Sequence, residues 1–442
     1  MQHCDSIIAP GWIIPVEPHG AVLSDHAVAI NDGRIAAILP LAEMKRRFRP
    51  GSFVSRPGHV LIPGLVNSHT HAAMTLFRGF ADDMPLELWL RERIWPAESR
   101  WVSAEMVRDG TRHAIAEMLL GGTTCFSDQY FFPEIVAEAA SDMHMRTVVG
   151  TPVIDFPTPW AANASECLAK GSDLVHDRYA DHALISSCFA PHSVDTVSDE
   201  SFAELRVLAD QLDVRVQIHL HESQAEIDRS LATTGLRPFE RLSRLGLVNS
   251  SLLVVHGVYL GDDEIRDLAA AKANIAHCPR SNLKLADGIA PVSRYLRNGV
   301  NVALGTDGAA SNNALDMFDE MKIAALLAKA VEQDPAAIPA PVALRMATLG
   351  GAVALGMSDR IGSIEVGKWA DLACIDLQHV RSQPLYDPLS QLVYAASSNQ
   401  VSDVWIAGRH VVEGGKLTLV DVHEILNRSN EWQQRISLSP GA

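Results

Sequence analysis

The chain has no pair of cysteines at C-x-x-C spacing. Its six, Cys4, Cys125, Cys167, Cys188, Cys278 and Cys374, are scattered. That excludes a disulfide framework and reads as reduced, mostly buried thiols of a cytoplasmic protein. No run of about 18 apolar residues exists, so no membrane span is expected. Residues 1–20 hold Asp5 and three prolines but no Lys or Arg, so no signal peptide is expected either. The glycosylation-like triplets at Asn163, Asn249 and Asn427 are then chance matches. Basic residues are in deficit: 37 Lys and Arg face 53 Asp and Glu, a net charge of −16. Such a chain is a poor partner for nucleic acid or an anionic membrane and suits a small or neutral substrate. A nucleotide-binding loop is also missing. Gly362-Ser363-Ile364-Glu365-Val366-Gly367-Lys368 comes close, but Trp369 stands where a magnesium-binding hydroxyl is needed, and Ala370 to Ile375 reads as a strand, not a helix.

What is present is a large core in ordinary proportion: 442 residues, 47% hydrophobic and 20% charged. Short apolar runs at 61–66, 123–128, 146–152, 183–189, 214–220, 252–257, 273–277 and 301–306 read as strands buried on both faces. Amphipathic helices alternate with them. One starts at Ser103, places Met106, Val107, Ala114, Ile115, Met118 and Leu119 on one face, and stops at Gly121-Gly122. Another starts at Ser198 and repeats Phe202, Leu205, Leu208 and Leu212. Eight strands with intervening helices predict an α/β fold, a (β/α)8 TIM barrel over residues 59–361. The ends, 1–58 and 362–442, read as short strands and turns, with hairpin signals at Asn31-Asp32-Gly33 and Gly408-Arg409. Neither has room for a core of its own, so the two are expected to form one small β-sandwich domain.

The chemistry gathers at strand ends. The first strand ends in His69 and His71, two residues apart and so on one side. The fifth ends in His219-Leu220-His221-Glu222, the sixth in His256, and the eighth in Asp307. In a parallel barrel these ends surround one mouth. A single histidine at a strand end is usually structural; four such ends carrying metal-type or proton-transfer residues point to a metal site. His69, His71, His219 and Asp307 suit one divalent ion, zinc first, with iron or manganese able to use the same donors. Such an ion lowers the pKa of water toward ~7. Glu222 stands near enough to carry protons, and His256 to steady the attacking oxygen. His277 and Cys278 read as pocket wall, while His113, His176 and His182 have no such context.

On these residues the chain resembles the metal-dependent amidohydrolase superfamily. The matching segments are Pro63 to His71, the histidines ending strands five and six, Gly305-Thr306-Asp307-Gly308, and Gly362 to Lys368 leading to Ala370-Asp371. Within it, the chain is most similar to the 5'-methylthioadenosine/S-adenosylhomocysteine deaminases. That likeness rests on Met74 to Gly79 with Asp82-Asp83, Pro96-Ala97-Glu98, Ala190-Pro191-His192-Ser193, Ser281 to Leu285, and Gly305 to Asn313. The resemblance implies that Glu98 holds the ribose hydroxyls, that His192 contacts the sugar, and that Glu222 bonds the purine and shuttles a proton. It also implies catalytic roles for Glu222, His256 and Asp307. Family members are often oligomeric, although no exposed stripe in this sequence defines a homo-oligomer interface.

The implied reaction is hydrolytic deamination of an adenine nucleoside to the inosine analogue and ammonia, driven by hydroxide generated at a single ion. One departure is informative. Family members that take S-adenosylhomocysteine carry an arginine near strand three for its carboxylate. Here Gly150 to Trp160 has none and offers Phe156 and Trp160 instead. 5'-Methylthioadenosine or adenosine is therefore expected over the homocysteine adduct. The rival reading is a guanine or cytosine deaminase, a triazine chlorohydrolase or a cyclic amidase on the same scaffold. Cyclic amidases bridge two metals with a strand-four lysine, and Ala183 to Ala190 has none. The zinc deaminases that need P-C-x-x-C are excluded by its absence.

Overall fold

The structure is a computed structural model that describes residues 1–438; residues 439–442, which the sequence groups with the small domain, lie outside the described residues. Strands from both ends of the chain form one mixed sheet. Its order is Lys416–Leu417, Arg409–Glu413, Val401–Ile406, Leu372–Asp376, Phe48–Pro63, Gln2–Ile13, His26–Asn31 and Arg34–Pro40, with Leu23–Ser24 added to Gln2–Ile13. The halves join where Phe48–Pro63 runs antiparallel to Leu372–Asp376, Leu61 opposite Cys374, and parallel to Gln2–Ile13. Alternation along the strands makes two separate apolar clusters, one with Ile8, Val28 and Trp405, the other with Ile7, Ala29 and Phe48. Asp32 and Gly33 both have positive φ, as a two-residue hairpin turn requires. The second hairpin turns at Ala407-Gly408, both at positive φ, so Arg409 already belongs to the next strand rather than to the turn.

The second sheet is the barrel, eight strands in sequential order: β1 (Leu65–Thr70), β2 (Thr123–Gln129), β3 (Arg146–Val153), β4 (Ile185–Pro191), β5 (Arg215–Leu220), β6 (Leu252–His256), β7 (Asn274–His277) and β8 (Asn301–Leu304). The registers given for β3 through β8 are parallel throughout. β8 meets β1 through Ser68 Oγ, which donates to the Leu304 carbonyl at 2.7 Å, and through the Asp307 N–H, which donates to the His69 carbonyl at 3.0 Å.

The first barrel strand is not where the apolar run 61–66 suggests. Leu61 to Pro63 finish the long strand of the mixed sheet, and β1 starts at Leu65. Gly64 is the switch between sheets. A Cβ there would sit 2.0 Å from Thr124 Oγ1, so only glycine lets the chain pass β2 this closely. Hydropathy cannot register the break, because both pieces are buried and apolar.

Helix α1 (Ala104–Leu120) starts as the sequence indicates, with Ser103 Oγ accepting the Met106 N–H at 3.2 Å, and it buries Met106, Val107, Ala114, Ile115, Met118 and Leu119. Helix α2 (Asp199–Leu212) is capped by Ser198 and buries Phe202 and Leu205. Leu208 and Leu212 are only half-buried, and Ala209 takes the third inward position. Among the described residues no helix is long and apolar enough to cross a membrane.

By compactness the chain divides into two units. One comprises 1–67, 116–125 and 316–420; the other comprises 68–115, 126–315 and the segment from Asp421 onward. Every side chain of the site described next belongs to the second unit.

Candidate active site

His69 lies inside β1 and His71 just beyond its end, so the pleat sends both rings the same way, with centroids 4.9 Å apart. β5 supplies His219, whose Nε2 lies 3.2 Å from His69 Nε2. The loop after β8 brings in Asp307, whose Oδ1 lies 3.4 Å from His69 Nε2 and 3.2 Å from His71 Nε2. Three of these strand ends turn sharply. His221, His256 and Asp307 all have positive φ, an uncommon conformation for non-glycine residues that collects at functional sites.

The hydrogen bonds behind the rings decide which nitrogens face inward. His71 Nδ1 donates to the Gln129 carbonyl at 2.5 Å, and His219 Nδ1 donates to the His192 carbonyl at 2.8 Å. With Nδ1 thus engaged, His71 turns its Nε2 toward Asp307 and His219 turns its Nε2 toward His69. Asp307 repeats the pattern. Its Oδ2 accepts from Ser281 Oγ at 2.7 Å and Ser311 Oγ at 2.6 Å, while its buried Oδ1 accepts no hydrogen bond. Ring nitrogens and a carboxylate oxygen gathered in a buried space favour a cation among them. Three of the six donor pairs lie 3.2–3.4 Å apart, and the three histidines keep a ring nitrogen each within 4.8 Å of the others, close enough to share one ion. His69, His71 and His219 stand together as a three-histidine group able to hold an ion. The donor set fits a metal.

Electrostatics follow from the crowding. Burial and neighbouring imidazoles hold His219 well below its usual value, and burial lowers His69 to about 4. Burial would lower His71 too, but its contact with Asp307 prevails and raises it to about 9, while the same contacts drive Asp307 well down. Beside this group stands Glu222, raised to about 8 by burial and the Asp307 charge; its Oε1 lies 3.5 Å from His256 Nε2. Burial lowers His256, whose Nδ1 lies 2.9 Å from Asn282 Oδ1.

The two substrate candidates also adjoin the site. Glu98 accepts a hydrogen bond from Tyr130 OH at 2.8 Å and is raised to about 7 by burial. The His192 ring is 5.4 Å from that of His219 and is lowered to about 4 by burial. His221 turns away from the histidine group: its Nδ1 bonds the Tyr259 carbonyl and its Nε2 accepts the Phe239 N–H, both at 3.1 Å. His277 is buried and lowered to about 3. Four residues were not singled out from the sequence. Ser281, Ser311 and Asn282 lie inside motif segments that were, but their orienting role needs coordinates. Asp287 carries a buried Oδ2 without a partner and is raised to about 8 by burial, then by Glu222.

The amidohydrolase family model matches residues 60–411. The chain is 46% identical over 432 residues to a 5-methylthioadenosine/S-adenosylhomocysteine deaminase of Teredinibacter turnerae, covering 98% of each chain. It is 43% identical to a 5'-deoxyadenosine deaminase of Methanopyrus kandleri over 86% of this chain and 87% of that one. The crystal structure of an adenosine deaminase from Xanthomonas campestris with bound zinc superposes with a TM-score of 0.98 at 50% identity, covering 99% of this chain and 100% of that one.

Proposed function

Because the chain belongs to the amidohydrolase family, we propose that it deaminates an adenine nucleoside hydrolytically, giving the inosine analogue and ammonia. The observation that carries this reading is the meeting of His69, His71 and His219, with Asp307 Oδ1 3.2–3.4 Å from two of them, beside the buried carboxyl of Glu222, which burial raises to about 8. His69, His71, His219 and Asp307 would hold one divalent ion, zinc by its preference for this donor set. A bound ion of this kind makes hydroxide available from water near neutral pH.

The remaining work falls to the chain. Neutral Glu222 gives its proton to purine N1, which makes C6 electrophilic; it then takes the proton of the hydroxyl added at C6, passes it to the amine, which leaves as ammonia, and is reprotonated from Asp307. Asp307 takes the proton that the attacking water loses. His256, beside Glu222, steadies the oxygen arriving at C6. Glu98 holds the ribose hydroxyls, and His192 lies against the sugar. The partner is a small nucleoside. The working compartment is the cytoplasm, with which six buried cysteine thiols agree.

For the 5' group the reading is 5'-methylthioadenosine or adenosine. The segment after β3 offers half-exposed Phe156 and no arginine, so an amino-acid carboxylate finds no bidentate partner there. The test is metal analysis of the purified protein with ammonia release measured over adenosine, 5'-methylthioadenosine, S-adenosylhomocysteine, guanine, cytosine and an aminotriazine. Bound zinc and turnover of the first two are expected. Activity confined to a free base or triazine would overturn the reading, and a higher kcat/KM for S-adenosylhomocysteine would overturn the 5' assignment.

A further inference from the structure

Helix α3 (Gln224–Thr234) begins with more than its capping requires. Ser223 Oγ accepts the Glu226 N–H at 3.3 Å, an ordinary cap. Glu226 then reaches back, as in a capping box, but passes the cap residue. Its Oε2 accepts the N–H of Glu222 at 2.9 Å. It does so from inside the protein: Glu226 is 6% exposed, and its Oε1 is buried without a partner. A solvent-facing glutamine or a water molecule would satisfy the same N–H without burying a carboxyl. Helix capping alone does not explain this placement.

What distinguishes the bonded N–H is its owner, the proton carrier. The whole turn is held. His221 is fixed at φ 55° with its ring bridging the Tyr259 carbonyl and the Phe239 N–H. Glu222 is fixed by Glu226, and Ser223 by its cap. With the peptide anchored on both sides, the Glu222 side chain has few ways to leave its place 3.5 Å from His256 Nε2. Proton transfer depends on that aim, since a misplacement of ~1 Å can cost ~100-fold in rate.

We propose that Glu226 is a positioning residue for the deamination, its buried carboxyl clamping the Glu222 peptide N–H so that the Glu222 carboxyl faces the purine. This rests on the functional reading above. The test uses the zinc-loaded full chain and the variants Glu226→Gln, Glu226→Ala, Glu226→Asp and Ser223→Ala. Measured are kcat and KM for adenosine, zinc content, Tm, and hydrogen exchange at the Glu222 amide. In Glu226→Ala, kcat should fall roughly 10–100-fold, with KM and zinc content held and the Glu222 amide exchanging faster. Glu226→Asp, too short to reach, should do the same and stands in if the alanine variant does not fold. Glu226→Gln, whose amide oxygen still accepts, should recover most of kcat. Ser223→Ala, which loosens only the far side of Glu222, should lower Tm but cost much less kcat than Glu226→Ala. Unchanged kcat in both shortened variants, or a kcat loss that merely tracks Tm across all four, overturns the inference. A wild-type protein that releases no ammonia from adenosine overturns the functional reading instead, and the exchange rates still report on the clamp.

Discussion

His71 and Asp307 hold each other in opposite charge states. Nε2 of the one lies 3.2 Å from Oδ1 of the other, and the contact overcomes burial to lift the imidazole to about 9 while pressing the carboxyl far down. A metal that uses both atoms must first displace the His71 proton. The metal-free protein keeps that proton below about pH 9 and loses it above. Zinc binding near pH 7 should therefore release about one proton, and affinity should rise ~10-fold per pH unit until it levels near pH 9. Chelator competition at several pH values, with calorimetry in buffers of different ionisation enthalpy, checks this. An affinity independent of pH would remove the His71–Asp307 pair from the binding site.

Ser281 and Ser311 both donate to Asp307 Oδ2, leaving Oδ1 to face the histidines. Removing an orienting partner of a ligand typically costs ~10–100-fold in metal affinity. Ser281→Ala and Ser311→Ala should each weaken zinc by about that factor with little change in Tm of the metal-free protein, as read by chelator competition.

Glu222→Gln should keep its zinc and lose ~100-fold to 10,000-fold in kcat, the usual worth of a positioned proton donor. The pH dependence has a definite sign. In the proposed mechanism the acid form of Glu222 protonates N1, and burial raises its pKa to about 8. In the wild type kcat/KM should decline as pH rises through that region, and in the glutamine variant the residual activity should lack that limb.

Tyr130 donates its hydroxyl to Glu98. If Glu98 grips the ribose, Glu98→Ala should lower kcat/KM for adenosine ~10–100-fold, the worth of a hydrogen bond to a charged group. Its effect on 2',3'-dideoxyadenosine should be slight. Tyr130→Phe should give a smaller loss in the same direction. Equal losses on both nucleosides would place Glu98 away from the sugar.

The histidines and Asp307 were legible because a strand end is a local feature: an apolar run followed by a polar ligand type needs no knowledge of distant neighbours. The start of the first strand was not, since hydropathy is the same on both sides of Gly64 and only the approach of Thr124 marks the change of sheet. Leu208 and Leu212 misled for a related reason. Periodicity gives the face of α2 but not how deeply each position on it is covered, and Ala209 took the inner place.

The sequence by itself determined the alternation of strands and helices, the residue types at the mouth, and the family. Tertiary structure decided the geometry within that list: that His71 and His219 engage their Nδ1 atoms, that Asp307 Oδ1 faces the histidines, and that Glu226 reaches Glu222. Those facts depend on carbonyls and hydroxyls such as Gln129, His192 and Ser281. Such groups occur throughout any chain, and they acquire meaning only when folding brings them within hydrogen-bond distance.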